Sequence, residues 1–249
     1  YRARPYAEQV DAMLSKLAQA EGDEGPAHPL LAKRPLKRVE VVVLTSDRGL
    51  AGGFNANIVR RLQRFLVDAQ GQYERVGVST IGRRGRDFAK KRGVTIRADY
   101  PGLLGKVDAT KAQAIADELI ELYTREDLDG VFLLYNQFQS ALVQKVTLKQ
   151  LLPIEPPEAD GKAGQGAATE FLFEPSRAAV LEALLPKHLG MQVFRALLES
   201  EASEHGARMT AMDNATKNAK EVINKLTLDY NRARQAAITK ELMEIVSGA

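Results

Sequence analysis

From Pro186 to about Val246 the chain has no further proline, and its only interior glycines are Gly190 and Gly206. Within this stretch Leu198, Ala202, His205, Met209, Met212, Thr216, Ala219, Ile223, Leu226, Tyr230, Ala233 and Ala237 follow steps that alternate four and three without a slip. That is a heptad seam on one long helix. A helix over 186–249 is roughly 90 Å long at 1.5 Å per residue. A helix lying wholly on its own domain is the competing reading, and this length argues against it. Ala202, Ala219, Ala233 and Ala237 admit a close neighbour, while Met, Ile, Leu and Tyr supply the knobs. Left alone, the stripe would face water, so the pattern demands a second helix.

The nearest candidate is 1–20, where Tyr6, Val10, Met13, Leu14 and Leu17 fall at helical spacing. The two together predict an antiparallel coiled coil. Nothing at Tyr1 resembles a helix cap and no initiator Met is present, so the expectation is a first helix lacking most of its length. The glycines and prolines of "EGDEGPAHP" then break it.

Residues 36–155 alternate in type. The run 39–44 reads as apolar, as a strand buried on both faces requires. Gly49, Gly52 and Gly53 make a turn, and Asn55 is placed to cap a helix lined by Ile58, Leu62, Phe65 and Leu66. "RVGVSTI" (75–81) is a second strand, followed by a basic helix around 86–92. A helix over 110–124 leads to "GVFLLYN" (130–136), and "ALVQKVTLKQLLPI" returns as a closing hairpin. The order predicts a Rossmann-like open α/β sheet, mainly parallel with an antiparallel edge. Residues 156–170, rich in Gly, Pro, Ala and acid, read as a mobile loop. A foot segment with a short helix at 171–185 leads to the long helix, and Pro186 is expected to kink or restart it by removing a backbone donor.

Strand, glycine turn and helix is also the layout that cradles phosphate, so a Rossmann-like nucleotide-dependent enzyme with a coiled-coil oligomerisation arm is the alternative function. The turn reads Gly-Leu-Ala-Gly-Gly, which is neither Gly-x-Gly-x-x-Gly nor a phosphate loop ending in Gly-Lys-Ser/Thr. No acidic residue closes the second strand to hold a ribose, since Ile81 leads into Gly82-Arg83-Arg84. The 3 histidines, His28, His188 and His205, have no metal-ligand spacing, and 0 cysteines exclude disulfides and thiolate zinc sites. His205 reads as a packed or rim residue, and Glu199 with Glu201 as solvated helix surface. Net charge is only +3, and the basic stretch "GRRGRDFAKKRG" lacks interleaved aromatics, which argues against nucleic acid and leaves an acidic protein surface as its partner. No apolar run approaches the ~20 residues needed to span a bilayer.

The segment "SEHGARMTAMDNATKNAKEVINKLTLDYNRARQAAITKELMEIVSGA" (203–249) resembles the gamma subunit of F-type ATP synthase, and "ITKELMEIVSGA" carries that family's closing pattern. "TSDRGLAGGFN", "FEPSR" and "RPYAE" resemble further family segments in the same order along the chain. The resemblance implies a non-catalytic rotor: a coiled-coil shaft inside a ring of alpha and beta subunits, above an α/β domain joined to the epsilon subunit and the membrane c-ring. It implies no cofactor and no metal. Proton flow would turn the ring, and the shaft would drive ATP synthesis or hydrolysis in the catalytic subunits.

Residue by residue, the resemblance implies shaft contacts with catalytic-subunit loops at Arg208, Arg234, Gln235, Thr239, Glu241 and Leu242. Arg48 and Gly49 would face an acidic lever of the catalytic subunit, and Phe171 and Glu174 would meet epsilon and the membrane ring. The location implied is peripheral, on the cytoplasmic face of a bacterial inner membrane or the matrix face of the mitochondrial one. The cysteine insertion of the chloroplast form is missing, so thiol regulation is not expected.

Overall fold

The structure, a computed structural model, describes residues 28–155 and 177–248. The expected first helix over 1–20, the loop 156–170 and the start of the foot segment, with Phe171 and Glu174, lie outside the described residues.

A 3-10 turn at Pro29–Leu31 precedes β1 (Arg38–Leu44), α1 (Phe54–Asp68), β2 (Arg75–Ile81), α2 (Arg83–Lys91) and β3 (Ile96–Tyr100). Then follow α3 (Ala109–Thr124), β4 (Gly130–Phe138), β5 (Gln144–Leu152) and α4 (Arg177–Ser247). The five strands form one sheet in the order β3-β2-β1-β4-β5. β1 to β4 pair in parallel and β5 runs antiparallel to β4, the edge expected of the hairpin.

Alternation along the strands divides the core in two. Val39, Val41 and Val43 pack with Ile58, Leu62 and Phe65 of α1 on one face. Val42 and Leu44 face the other way, into a cluster with Ala112, Ile115, Ala116, Leu119 and Tyr123 of α3 and with Leu181, Leu185, Leu189 and Val193 of α4. The domain is therefore a three-layer sandwich whose second layer is partly made by the long helix.

Four expectations are corrected. β3 was not anticipated, because Ile-Arg-Ala-Asp-Tyr has no apolar run; its charges are satisfied by partners elsewhere in the fold. The basic helix spans Arg83–Lys91, three residues earlier than expected. Asn55 is not the cap of α1; Gly53 occupies that position with no side-chain cap bond. Finally, α4 begins at Arg177 and continues through Pro186 as helix. A proline in a helix interior costs about 3 kcal/mol or more, while fully burying one Leu or Val side chain contributes roughly 1.5–3 kcal/mol. Leu181, Leu185, Leu189 and Val193 are all 0% exposed around that proline, so packing on α3 and the sheet outweighs the missing donor.

At 1.5 Å per residue α4 is roughly 105 Å long. Its lower half does lie on its own domain, through Leu197, Ser200, Ser203 and Ala207 in addition to the residues above. This stripe is not the heptad seam. Leu198 is 40% exposed and Met209 71% exposed, so the seam points away from the domain even where the helix is seated. From Met212 to Gly248 every residue is exposed apart from the half-buried Asn231.

Candidate partner-contact surfaces

The glycine corner after β1 is built by local hydrogen bonds. The Thr45 hydroxyl donates toward the carbonyls of Ile81 (3.1 Å) and Gly82 (3.2 Å) and accepts from the Gly85 amide at 2.8 Å. Gly82 has φ +91°, and a Cβ there would lie 1.9 Å from the Thr45 carbonyl oxygen, so only glycine lets the two chain segments pass. Asn55 holds the corner from the other side: its Oδ1 accepts from the Ser46 amide at 2.9 Å and its Nδ2 donates to Ser46 Oγ at 2.8 Å.

Two features set this corner apart from a phosphate cradle. The amide of Arg83, at the N-terminus of α2, donates to Asp47 Oδ1 at 3.0 Å, and Asp47 Oδ2 accepts from the Gly102 amide at 3.2 Å. A helix N-terminus favours an anion, and here the chain supplies its own carboxylate. In open α/β sheets ligands bind beyond the C-terminal strand ends where strand order reverses, which in this sheet is between β1 and β4. That crevice is filled by α4. The Asn136 amide donates to Ser200 Oγ at 3.3 Å, and Ser203 Oγ donates to the Asn136 carbonyl at 3.2 Å, all three residues being buried.

Of the contact residues implied by the sequence, Arg48 and Arg208 are brought together. Both line a groove of about 450 Å³, with Asp47, Arg83, Glu204 and His205. Arg208 is held by Glu204 one turn earlier, at 2.5 Å. Gly49 sits beside the groove, where a Cβ would come within 2.9 Å of Arg84 Nη2. Arg234, Gln235, Thr239, Glu241 and Leu242 are all exposed on the projecting part of α4. Arg234 is roughly 40 Å further along the helix than Arg208. The residues proposed for contact thus fall in two separate places, the base groove and the distal part of α4.

A buried ionic cluster went unforeseen. Glu40, in the middle of β1 and 0% exposed, interrupts the apolar run expected there. Its Oε1 accepts from Arg97 Nε at 3.0 Å and from the Ser79 hydroxyl, and Arg97 also pairs with Glu118 of α3. Tyr100 donates to Glu118 Oε2 at 2.5 Å. Burial and the bond to Glu118 push the Tyr100 hydroxyl up to about 12. For Glu118, burial pushes upward, and the bonds from Tyr100 and Arg97 outweigh it, leaving the carboxyl below its ordinary value. These groups staple edge strand β3 to β1, β2 and α3. The signal was Glu40 itself, an acid inside a strand that the valines require to be buried.

Among the described residues no group of three or more His, Cys, Asp or Glu could hold a metal ion, and no helix is long and apolar enough to cross a membrane.

The family model described as ATP synthase matches residues 1–249. The chain is 58% identical over 249 residues to the ATP synthase gamma chain of Anaeromyxobacter sp. (strain Fw109-5), covering 100% of this chain and 85% of that one. The chain belongs to the ATP synthase gamma family. Another gamma chain, from Geobacter sp. (strain M21), is 50% identical over 247 residues, covering 99% of this chain and 84% of the relative. The gamma fold of this chain is also seen in the Euglena gracilis mitochondrial ATP synthase, solved as an OSCP/F1/c-ring assembly. One chain there superposes with a TM-score of 0.62 at 22% identity, covering 98% of this chain and 89% of its own length. The rotor of the same enzyme gives 0.60 at 20%, covering 94% of both chains. In this gamma chain the crevice at the switch point of the sheet seats the chain's own long helix.

Proposed function

We propose that the chain is the central-stalk rotor subunit of a proton-translocating F-type ATP synthase, coupling rotation of a membrane ring to ATP synthesis or hydrolysis. It performs no catalysis itself. The observation that carries this reading is the stretch 212–247 of α4, roughly 54 Å of helix, which leaves its domain with Ile223, Leu226 and Tyr230 of the seam all at least 60% exposed. A helix striped in this way is stable where other protein covers it, as a ring of alpha and beta subunits and a second helix would. The solved neighbours, a rotor and an OSCP/F1/c-ring assembly, support the same set of partners: alpha, beta, epsilon and the c-ring.

Within this reading Arg234, Gln235, Thr239, Glu241 and Leu242 touch catalytic-subunit loops at the tip. Arg48, Gly49 and Arg208 form the lower contact, where the cations of the base groove suit an acidic lever. Phe171 and Glu174 are assigned to epsilon and the membrane ring. The location is peripheral, on the cytoplasmic face of a bacterial inner membrane, a choice supported by the Anaeromyxobacter and Geobacter relatives.

The test is co-purification with a nucleotide-hydrolysing ring, together with turnover of the assembled complex carrying Arg234→Ala or Glu241→Ala. Turnover is expected to fall while thermal stability of the free chain stays within about 0.5 kcal/mol, as for exposed positions generally. Intrinsic ATPase activity of the purified chain, or micromolar binding of ATP or NAD to it, would sink the rotor reading in favour of an enzyme.

A further inference from the structure

Where α4 leaves the domain, three separate chain segments contact it over residues 200–211. The end of β4 does so through Asn136, whose backbone bonds Ser200 and Ser203 as described above. Asn136 also donates from Nδ2 to the Phe54 carbonyl at 3.4 Å, so the grip extends to the start of α1. The β4–β5 turn supplies Ala141: a Cβ on Gly206 would lie 3.0 Å from its carbonyl oxygen and 3.1 Å from its Cα. Thr210 Oγ1 lies 3.4 Å from the same carbonyl oxygen, its shorter bond being to the Gly206 carbonyl of α4 at 3.1 Å. On the β1 side, Gly52 lies against the Ala207 carbonyl and Ala211 Cβ, each 3.8 Å from an added Cβ.

Below this level the packing is mostly apolar, with one polar contact: Gln113 Nε2 donates to the Pro186 carbonyl at 3.2 Å, and the Gln113 side chain occupies the space a Cβ on Gly190 would need. Leu181, Leu185, Leu189 and Val193 present a stripe repeating every four residues, and a stripe of similar apolar side chains specifies its register weakly, since a turn's shift replaces one with another. Hydrogen bonds to fixed backbone groups do not survive such a shift, and buried polar groups are costly when unmade. A polar group in an apolar helix interface is the best-attested device for fixing register. Gly206 adds a steric key, because the Ala141 backbone fits against α4 only where a side chain is missing.

We propose that Asn136, Ser200, Ser203 and Gly206 are positioning residues that lock the long helix to the α/β domain at one register, so that torque passes between them without slip. The claim about torque rests on the rotor reading; the claim about register does not. Two hydrogen bonds of ordinary net strength disfavour competing registers by roughly ten- to hundred-fold.

The chain contains 0 cysteines, so a pair introduced by Lys90→Cys and Lys220→Cys can be spin-labelled uniquely. On the full chain, the distance distribution between the two labels is expected to be narrow. It should broaden or become bimodal when Ser200→Ala and Ser203→Ala are combined, and shift when Gly206 is replaced by Val. Thr227→Ala removes a hydroxyl from the same helix beyond the grip, where it bonds the Ile223 carbonyl at 2.8 Å, and should change nothing. In the membrane-reconstituted complex, the serine pair should lower protons pumped per ATP hydrolysed while hydrolysis itself persists. An unaltered distance distribution in the serine double variant overturns the proposal, whatever the complex does. If the distribution broadens while the pumping ratio holds, torque transfer by these residues is refuted. A wild-type chain that joins no ring would instead count against the rotor reading and leave the register result standing on the distance measurement.

Discussion

The two halves of α4 share one helix and obey different rules. Below Ala211 its inward face is buried and its stability is tertiary; above, the large apolar side chains of the seam stand in water. A helix's apolar side chains therefore report partners rather than helicity: Leu189 is 0% exposed and Leu226 61% exposed, although both are leucines in unbroken helix. The lower half has found its partner among the described residues, and the upper half requires one outside them.

The largest effect is expected in the domain on which the lower half rests. Arg97→Met would strand Glu40 as a buried acid and should cost about 3–5 kcal/mol in urea unfolding; a loss below 1 kcal/mol would mean that Glu40 finds water or another donor. Leu189→Ala, opening a cavity between α4 and the domain, should cost about 2–5 kcal/mol. A much smaller loss would show the lower half to be loosely seated.

An intermediate effect depends on pH. The Arg38 guanidinium, bonded to Asp129 at 3.0 Å, holds that carboxyl below its ordinary value. A depressed carboxylate stabilises the fold above its unfolded pKa of about 3.9, and this contribution is lost as the pH falls through the lower folded value. Asp129→Asn should therefore flatten the loss of thermal stability below about pH 4, and an unchanged acid limb would contradict the assignment.

Smaller still are the expected effects on the upper half. Leu226→Ala should change the stability of the free chain by no more than about 0.5 kcal/mol and yet weaken its assembly with a catalytic ring, measured by co-purification. If Leu226→Ala destabilises the free chain as much as Leu189→Ala does, the contrast between the halves collapses. Last, Asp213→Ala breaks an exposed pair with Lys217 at 2.8 Å and should change the melting free energy by about 0.5 kcal/mol or less.

Much of the fold could be read locally. β2 falls on 75–81 as expected, β4 begins at Gly130, and the β4–β5 hairpin closes the sheet, because apolar strands and turn residues announce themselves in a short window. β3 could not be read in that way, since Arg97 and Asp99 make sense only beside Glu40, Glu118, Thr80 and Arg86. Asn55 is a capping residue type, but the helix begins one residue before it and its carboxamide bonds Ser46 instead. The base groove was not legible in the sequence: Arg48 and Arg208, 160 positions apart in the chain, share it though no spacing rule connects them.

The chain's own sequence determined that a long helix forms and that one of its faces demands company, because helical periodicity and the placing of proline and glycine are local properties of neighbouring residues. Only the tertiary structure decided which apolar stripe is seated on the domain, where the helix leaves it, and what fills the crevice between β1 and β4. Those outcomes turn on Asn136, Ala141 and Gly52 meeting Ser203, Gly206 and Ala211, and contacts between residues so far apart in the chain exist only once the sheet has formed.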